Sequence, residues 1–225
     1  MLESVKRQAG LSIIELLVGL AIGLFVVASS VTLVVNHLRE HRSAQLEARL
    51  TQDLRSAADL IARDLRRAGY WGDAGAGIGS PAQPARVNPY LALVPDAAAS
   101  DAIGFAYSCD AIENHALDGN EQFGYRLRSK AIELQLGSGN WQALTDATLL
   151  TISAFSVTPS IEEIDLGALC SQPCPVGSAS CPPRLQVRRL AVQIAGRSVA
   201  DASIARSVQV LVRLRNDMPA GACPA

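Results

Sequence analysis

The chain predicts an α+β fold: one long amino-terminal helix, half membrane-spanning and half amphipathic, packed on an antiparallel β-sheet head. Three observations carry this. Leu16 to Asn36 is an uncharged, largely apolar run. Leu46, Leu50, Leu54, Ala57, Ile61, Leu65 and Ala68 then recur at three- and four-residue steps, the period of one helix face. Beyond residue 100, short runs alternate apolar and polar side chains, as half-buried strands do.

The uncharged run is 21 residues long, which as a helix rises about 32 Å and crosses a hydrocarbon core. Lys6 and Arg7 precede it and Arg39 and Arg42 follow it, so flanking charge does not orient it. Gly19 and Gly23 form a small-xxx-small pair that admits a second helix at close range. Glu15 stands at the mouth of the run. A carboxylate in a membrane helix costs roughly 2.5–3.5 kcal/mol and needs a reason to persist. A secretory signal would have a shorter apolar core and a small-residue cleavage site after it. Ala28-Ser29-Ser30 lies inside the run, whereas Gly10, directly ahead of it, better fits cleavage before the helix.

The amphipathic half places Glu47, Arg49, Asp53, Arg55, Asp59, Arg63 and Arg66 off the apolar stripe. Gly69 is the expected stop, with Arg66 and Arg67 at the negative end of the helix dipole. From Leu11 to Ala68 an unbroken helix would measure about 87 Å, a length that suits a filament spine better than an ordinary anchored enzyme. The domains expected are therefore residues 1–10, a leader; 11–36, the transmembrane half; 37–69, the amphipathic half; and 70–225, a β-rich head.

Gly72 to about Pro89 reads as a flexible Gly/Ala/Pro-rich linker. Gly75, Gly77 and Gly79 do not form a phosphate cradle, because no strand precedes them and no Lys-Ser/Thr follows. Strands are expected at Ala102–Cys109, Phe123–Arg128 and Ala131–Leu136, the last two forming a hairpin about Ser129-Lys130. Leu149–Val157, Leu185–Ile194 and Ser207–Arg215 follow, with apolar faces Leu190, Val192, Ile194 and Val208, Val210, Val212, Leu214.

The length supports one anchor and one head with a real core. Net charge is −1, and loss of the leader, with Glu3, Lys6 and Arg7, leaves −2. A nearly neutral surface argues against electrostatically driven nucleic-acid binding. Cys109, Cys170, Cys174, Cys181 and Cys223 are candidate disulfide residues for an exported head. Their odd number leaves at least one thiol unpaired or bonded to another chain, and the pairing is open. The spacing of Cys170, Cys174 and Cys181, with no nearby histidine, fits no common zinc knuckle.

Candidate chemistry is sparse. His37-Leu38-Arg39-Glu40-His41 matches the inverted zinc-protease pattern but sits where the helix leaves the membrane, and it needs a further ligand and a pocket. Interfacial polar residues are the plainer reading. His115 has no obvious catalytic partner. Asp118-Gly119-Asn120-Glu121 lacks the full calcium loop and reads as a turn. No catalytic residue, metal or cofactor is expected, and the protein reads as a substrate of enzymes.

Gly10-Leu11-Ser12-Ile13-Ile14-Glu15-Leu16-Leu17-Val18 resembles the class III signal of type IV pilins and type II secretion pseudopilins. The resemblance implies that a prepilin peptidase cuts between Gly10 and Leu11 and methylates Leu11. Glu15 becomes the fifth mature residue, where the family keeps a glutamate that pairs with a neighbouring subunit's amino terminus. A partnered carboxylate is tolerated where an isolated one is not. The mature first residue is Leu, where the family more often has Phe. No proline occurs between Leu11 and Ser80, and a kinking proline is common in major pilins, so a minor subunit is favoured.

Ile61–Gly72, with its Arg-Asp-Leu-Arg and Ala-Gly-Tyr, and Val208–Asn216 resemble PilW-type minor pilins, although Asp73 stands where that family often has cysteine. This likeness implies a type IV pilin-like fold, inner-membrane anchorage and a periplasmic head, extracellular once in a pilus. It also implies a role in priming pilus assembly with other minor pilins, the major pilin and the inner-membrane assembly platform, with a place near the filament tip supporting adhesion and twitching. The rivals are a J-like pseudopilin of type II secretion and, from another class, a membrane-anchored metalloenzyme using His37, Glu40 and His41.

Overall fold

A computed structural model describes residues 12–79 and 83–224. Helix α1 spans Ile13–Leu65. The chain divides into two compact units between Gln45 and Leu46, so the last turns of α1 belong to the head unit.

The expected stripe is the buried face of α1 in that unit. Leu50, Leu54, Ala57, Ile61 and Leu65 are buried, joined by Ala58 and Ala62, while Glu47, Arg49, Asp53, Arg55, Asp59 and Arg63 lie off that face. Burying each Leu or Ile contributes about 1.5–3 kcal/mol, an upper figure because unfolded chains are partly compact.

Two antiparallel sheets receive this face. The first comprises β1 (Ala102–Ala106), β2 (Gln122–Arg128), β3 (Ala131–Leu136) and β4 (Trp141–Ala143), in spatial order β1-β2-β3-β4. The second comprises β5 (Leu150–Asp165), β6 (Arg184–Ser198) and β7 (Ala205–Arg213) in that order, with β8 (Met218–Ala220) also pairing β6. Ile103, Phe105, Tyr125 and Ile132 from the first sheet and Ile152, Leu190, Val192 and Ile194 from the second close one core with the helix stripe. Gly196 permits the approach: a Cβ there would lie 3.3 Å from Leu54 Cδ2. Within this core Tyr125 donates its hydroxyl to Asp64 Oδ2 at 2.6 Å, a polar tie between sheet and helix.

The hairpin about Ser129-Lys130 forms as expected, pairing Arg128 with Ala131. Both turn residues have positive φ, 50° and 66°, as a type I′ turn requires, although neither is Gly or Asn. The strands depart from expectation in length. β5 continues eight residues past Val157. Pro159 does not stop it, because it faces Leu190 at a position where the strand's N–H points away from β6 and no donor is needed. Beyond it, Glu162 pairs with Arg189, and Glu163 with Arg184 and Gln186, a polar ladder that apolar periodicity does not reveal. β4 and β8 are three residues each, too short for a periodic signal. The first strand ends at Ala106 rather than Cys109: Tyr107 still faces and bonds Glu121 O, the end of the 3₁₀ turn that precedes β2, and Ser108 turns away to bond Tyr70.

Where it is described, the stretch expected as a linker is anchored at Ala74–Gly77, with Arg86 N–H bonded to Ala76 O. A 3₁₀ turn covers Ala74–Gly77, and Trp71, Tyr90 and Ala106 form a second small core with Ala76.

Candidate functional site

The entrance of α1 is a reciprocal cap. Glu15 Oε2 accepts the backbone N–H of Ser12 at 3.4 Å, and Ser12 Oγ accepts the N–H of Ile14 at 3.4 Å. Serine at the cap and glutamate three residues on satisfy two of the donors a helix start leaves open. Gly10 and Leu11 lie outside the described residues. The side chains of residues 13–38 are exposed within the chain, and no contact lies within 4 Å of a Cβ built on Gly19 or Gly23. The hydroxyls of the run are already satisfied: Ser29 and Ser30 donate to Phe25 O and Val26 O, and Thr32 to Ser29 O, each at 2.8 Å. Such back-bonding makes hydroxyl side chains compatible with hydrocarbon. The helix is long and apolar enough to cross a membrane, with none of its most apolar stretch buried in the chain, and fits a single-pass anchor.

His37 Nδ1 lies 3.9 Å from Glu40, both side chains well exposed. The only group of three potential metal-binding side chains among the described residues is elsewhere, at Asp110, Asp118 and Glu121, so His37, Glu40 and His41 gain no further ligand there.

In the head, sequence reasoning missed a network around Glu121, which is fully buried. Asp118-Gly119-Asn120-Glu121 is a 3₁₀ turn closed by a capping box between Asp118 and Glu121. Glu121 accepts the N–H of Asp118 at 3.0 Å, the N–H of Cys109 at 2.9 Å and the Tyr90 hydroxyl at 3.2 Å. Tyr90 also lies 2.9 Å from Glu113 Oε1. Glu113 in turn accepts the N–H groups of Gly72 and His115, tying the helix exit to the 109–121 loop. Burial pushes the Glu113 carboxyl up, but its bonds from Ser108, His115, Tyr90 and Gly72 outweigh burial and hold it below its ordinary value. Burial and the Glu113 bond push Tyr90 well above an ordinary phenol. The spacing Asp-x-x-Glu is the sequence signal that marks such a cap. The network satisfies the oxygens of buried Glu121 and Tyr90 and of half-buried Glu113; beside it Trp71 stands edge-on to His115, whose Nε2 is 3.9 Å from Asp73.

Cysteine pairing resolves as Cys170–Cys223 and Cys174–Cys181. Cys109, a candidate for bridging, forms no disulfide and is exposed. Its backbone is held by Glu121, away from the loop that carries the other cysteines. Partial loss of solvent around its sulfur raises the thiol's pKa more than the Arg67 guanidinium lowers it.

The family described as prepilin peptidase-dependent protein B matches residues 43–214, well over half of the chain. No curated protein and no solved structure matches. The match lies with this family and not specifically with the PilW-type proteins that Ile61–Gly72 and Val208–Asn216 resemble. The chain belongs to the prepilin peptidase-dependent protein B family and is a type IV pilus-associated, minor pilin-like protein.

Proposed function

We propose that this protein is a minor type IV pilin, held in the inner membrane by α1 with its head in the periplasm. It helps to prime pilus assembly with other minor pilins and the major pilin on the assembly platform, and enters the filament near its tip, supporting adhesion and twitching motility. The observation that carries the reading is Glu15, a lone carboxylate in the first turn of an apolar helix and five residues after Gly10. Prepilin peptidase cuts between Gly10 and Leu11 and methylates Leu11. Glu15 then exchanges its weak capping contact with Ser12 for the charged amino terminus of a neighbouring subunit, while Gly19 and Gly23 let that neighbour's helix approach. Removing one member of such a pair costs about 3–5 kcal/mol.

Intact mass and the amino-terminal peptide of protein extracted from its native membrane test the processing. A chain beginning at methylated Leu11 supports it; a chain retaining Met1, or cut after Asn36, removes the role of Glu15. A deletion strain then identifies the machine. Lost pili with normal exoprotein secretion is the expected result, whereas normal pili with lost secretion reassigns the protein as a J-like pseudopilin. Stoichiometric zinc lost on His41→Ala would instead favour the metalloenzyme.

A further inference from the structure

We infer that the outer edge of β7 is a docking site for an extended strand of a partner protein, one with an uncharged middle and acidic flanks. Sheet edges expose unpaired backbone donors and acceptors, and proteins ordinarily blunt them. Among the described residues the other edges are bonded, short or interrupted by proline along most of their length. The outer edge of β1 is bonded by Val94, whose N–H and C=O both pair with Gly104 at 2.9 and 2.7 Å. β4 is three residues long; β8 is also three and contains Pro219. The outer edge of β5 bonds Ser100 through Val157 and Lys130 through Ile152, and carries Pro159.

β7 has none of these devices. It is nine residues long, lacks Pro and Gly, and keeps an unbroken register with β6. The bonds Leu214 N–H to Arg188 O and Ser198 N–H to Ile204 O, both 3.0 Å, set the phase of this ladder. In that phase Val208, Val210 and Val212 bond β6, and Ser207, Gln209 and Leu211 turn their N–H and C=O groups outward. Among the described residues no strand lies on that side, and the side chains of these three residues are exposed. Val208 and Val210 are only partly covered, so an added strand would complete their burial.

Charge states the partner's chemistry. Residues 207–212 carry none. Arg206 pairs with Glu47 and Arg213 with Asp217, which neutralises the strand's own cations. Arg197, opposite Ala205, and Arg215, just past the strand, are exposed and have no carboxylate partner among the described residues. An incoming strand with a carboxylate at each end meets Arg215 just past one end of the edge and, at the other, Arg197 one strand in from it. Backbone bonds would supply affinity and the half-open valines the side-chain register. The inference does not rest on the pilus reading, and its test leaves that reading untouched.

The test is amide hydrogen exchange on the full chain in detergent, with two ten-residue probes of alternating valine and threonine. One probe has two aspartates at each end, the other two lysines. In the free protein Ser207, Gln209 and Leu211 should exchange fast beside protected Val208 and Val210. The acidic probe should slow those three amides tenfold or more, the basic probe far less. Gln209→Pro, which deletes an outward N–H, should abolish the effect; Leu211→Glu, which repels the acidic probe, serves if that variant fails to fold. No slowing by either probe at millimolar concentration overturns the inference, as does protection already present in the dilute chain. Protection that rises with the protein's own concentration, without probe, also overturns it and makes the occupant a second copy.

Discussion

The side-chain amide of Asn216 donates to the backbone oxygen of Ala68 at 3.0 Å, so a residue after the last long strand pins the turn by which the chain leaves α1. Around this bond, Asn88 donates to Gly69 O at 2.9 Å, and buried Arg188 binds both Leu91 O and Asn216 O. Gly69, at φ 76°, turns the chain away beneath them, and a Cβ there would stand 3.3 Å from the Arg188 guanidinium. The carbonyls of the turn that follows α1 are thus satisfied by residues 19 and 148 positions away, while those of the last helical turn are bonded locally by Arg66, Arg67 and Ala68.

Asn216→Ala is expected to destabilise the head by about 1–3 kcal/mol, because it strands a part-buried acceptor. Chemical denaturation of the full chain in detergent checks this. An unchanged midpoint would show that solvent replaces the amide.

Glu15→Gln should leave the head's unfolding transition unmoved and abolish assembly, since Glu15 touches only the first turn of α1. Ser12→Ala should cost far less, about 0.5–2 kcal/mol of local helix stability. Shear-released surface filaments and thermal melts, read side by side, separate the two effects.

Acid should weaken the head through Glu113. Its folded value lies below the ordinary 4.5, so its contribution is complete above that value and is lost as pH falls through the folded one. Stability should therefore drop below about pH 4.5 and drop less steeply in Glu113→Gln. Parallel pH profiles for the two proteins would refute this account.

The oxidised protein should hold one alkylatable thiol, Cys109, with peptides linking Cys170 to Cys223 and Cys174 to Cys181. By loop-closure entropy the longer bridge, spanning 53 positions, contributes about 4 kcal/mol and the shorter about 2. Cys223→Ser should therefore lower the unfolding midpoint more than Cys174→Ser.

Much of the architecture was legible along the chain. The stripe from Leu46 to Ala68 predicted the buried helix face, and the Ser129-Lys130 hairpin and the faces of β6 and β7 were readable, because each signal is a period within a few residues. What escaped reading was made by distant residues. Pro159 looks like a strand end until one knows that its nitrogen faces outward. Glu121 looks like part of a solvated turn until Tyr90 and Cys109 close over it. Asn88, Arg188 and Asn216 carry no local mark of holding the turn that leaves α1.

The sequence by itself therefore determined the classes of element and the kind of surface each presents. A 21-residue uncharged run, an amphipathic stripe and alternating strands leave little freedom, since burial follows periodicity. Tertiary structure alone decided which cysteines join, which carboxylate is buried and which sheet edge stays open. Those outcomes depend on pairings between residues remote along the chain, and a hydrogen bond or a disulfide forms only where the fold sets its partners within a few ångströms.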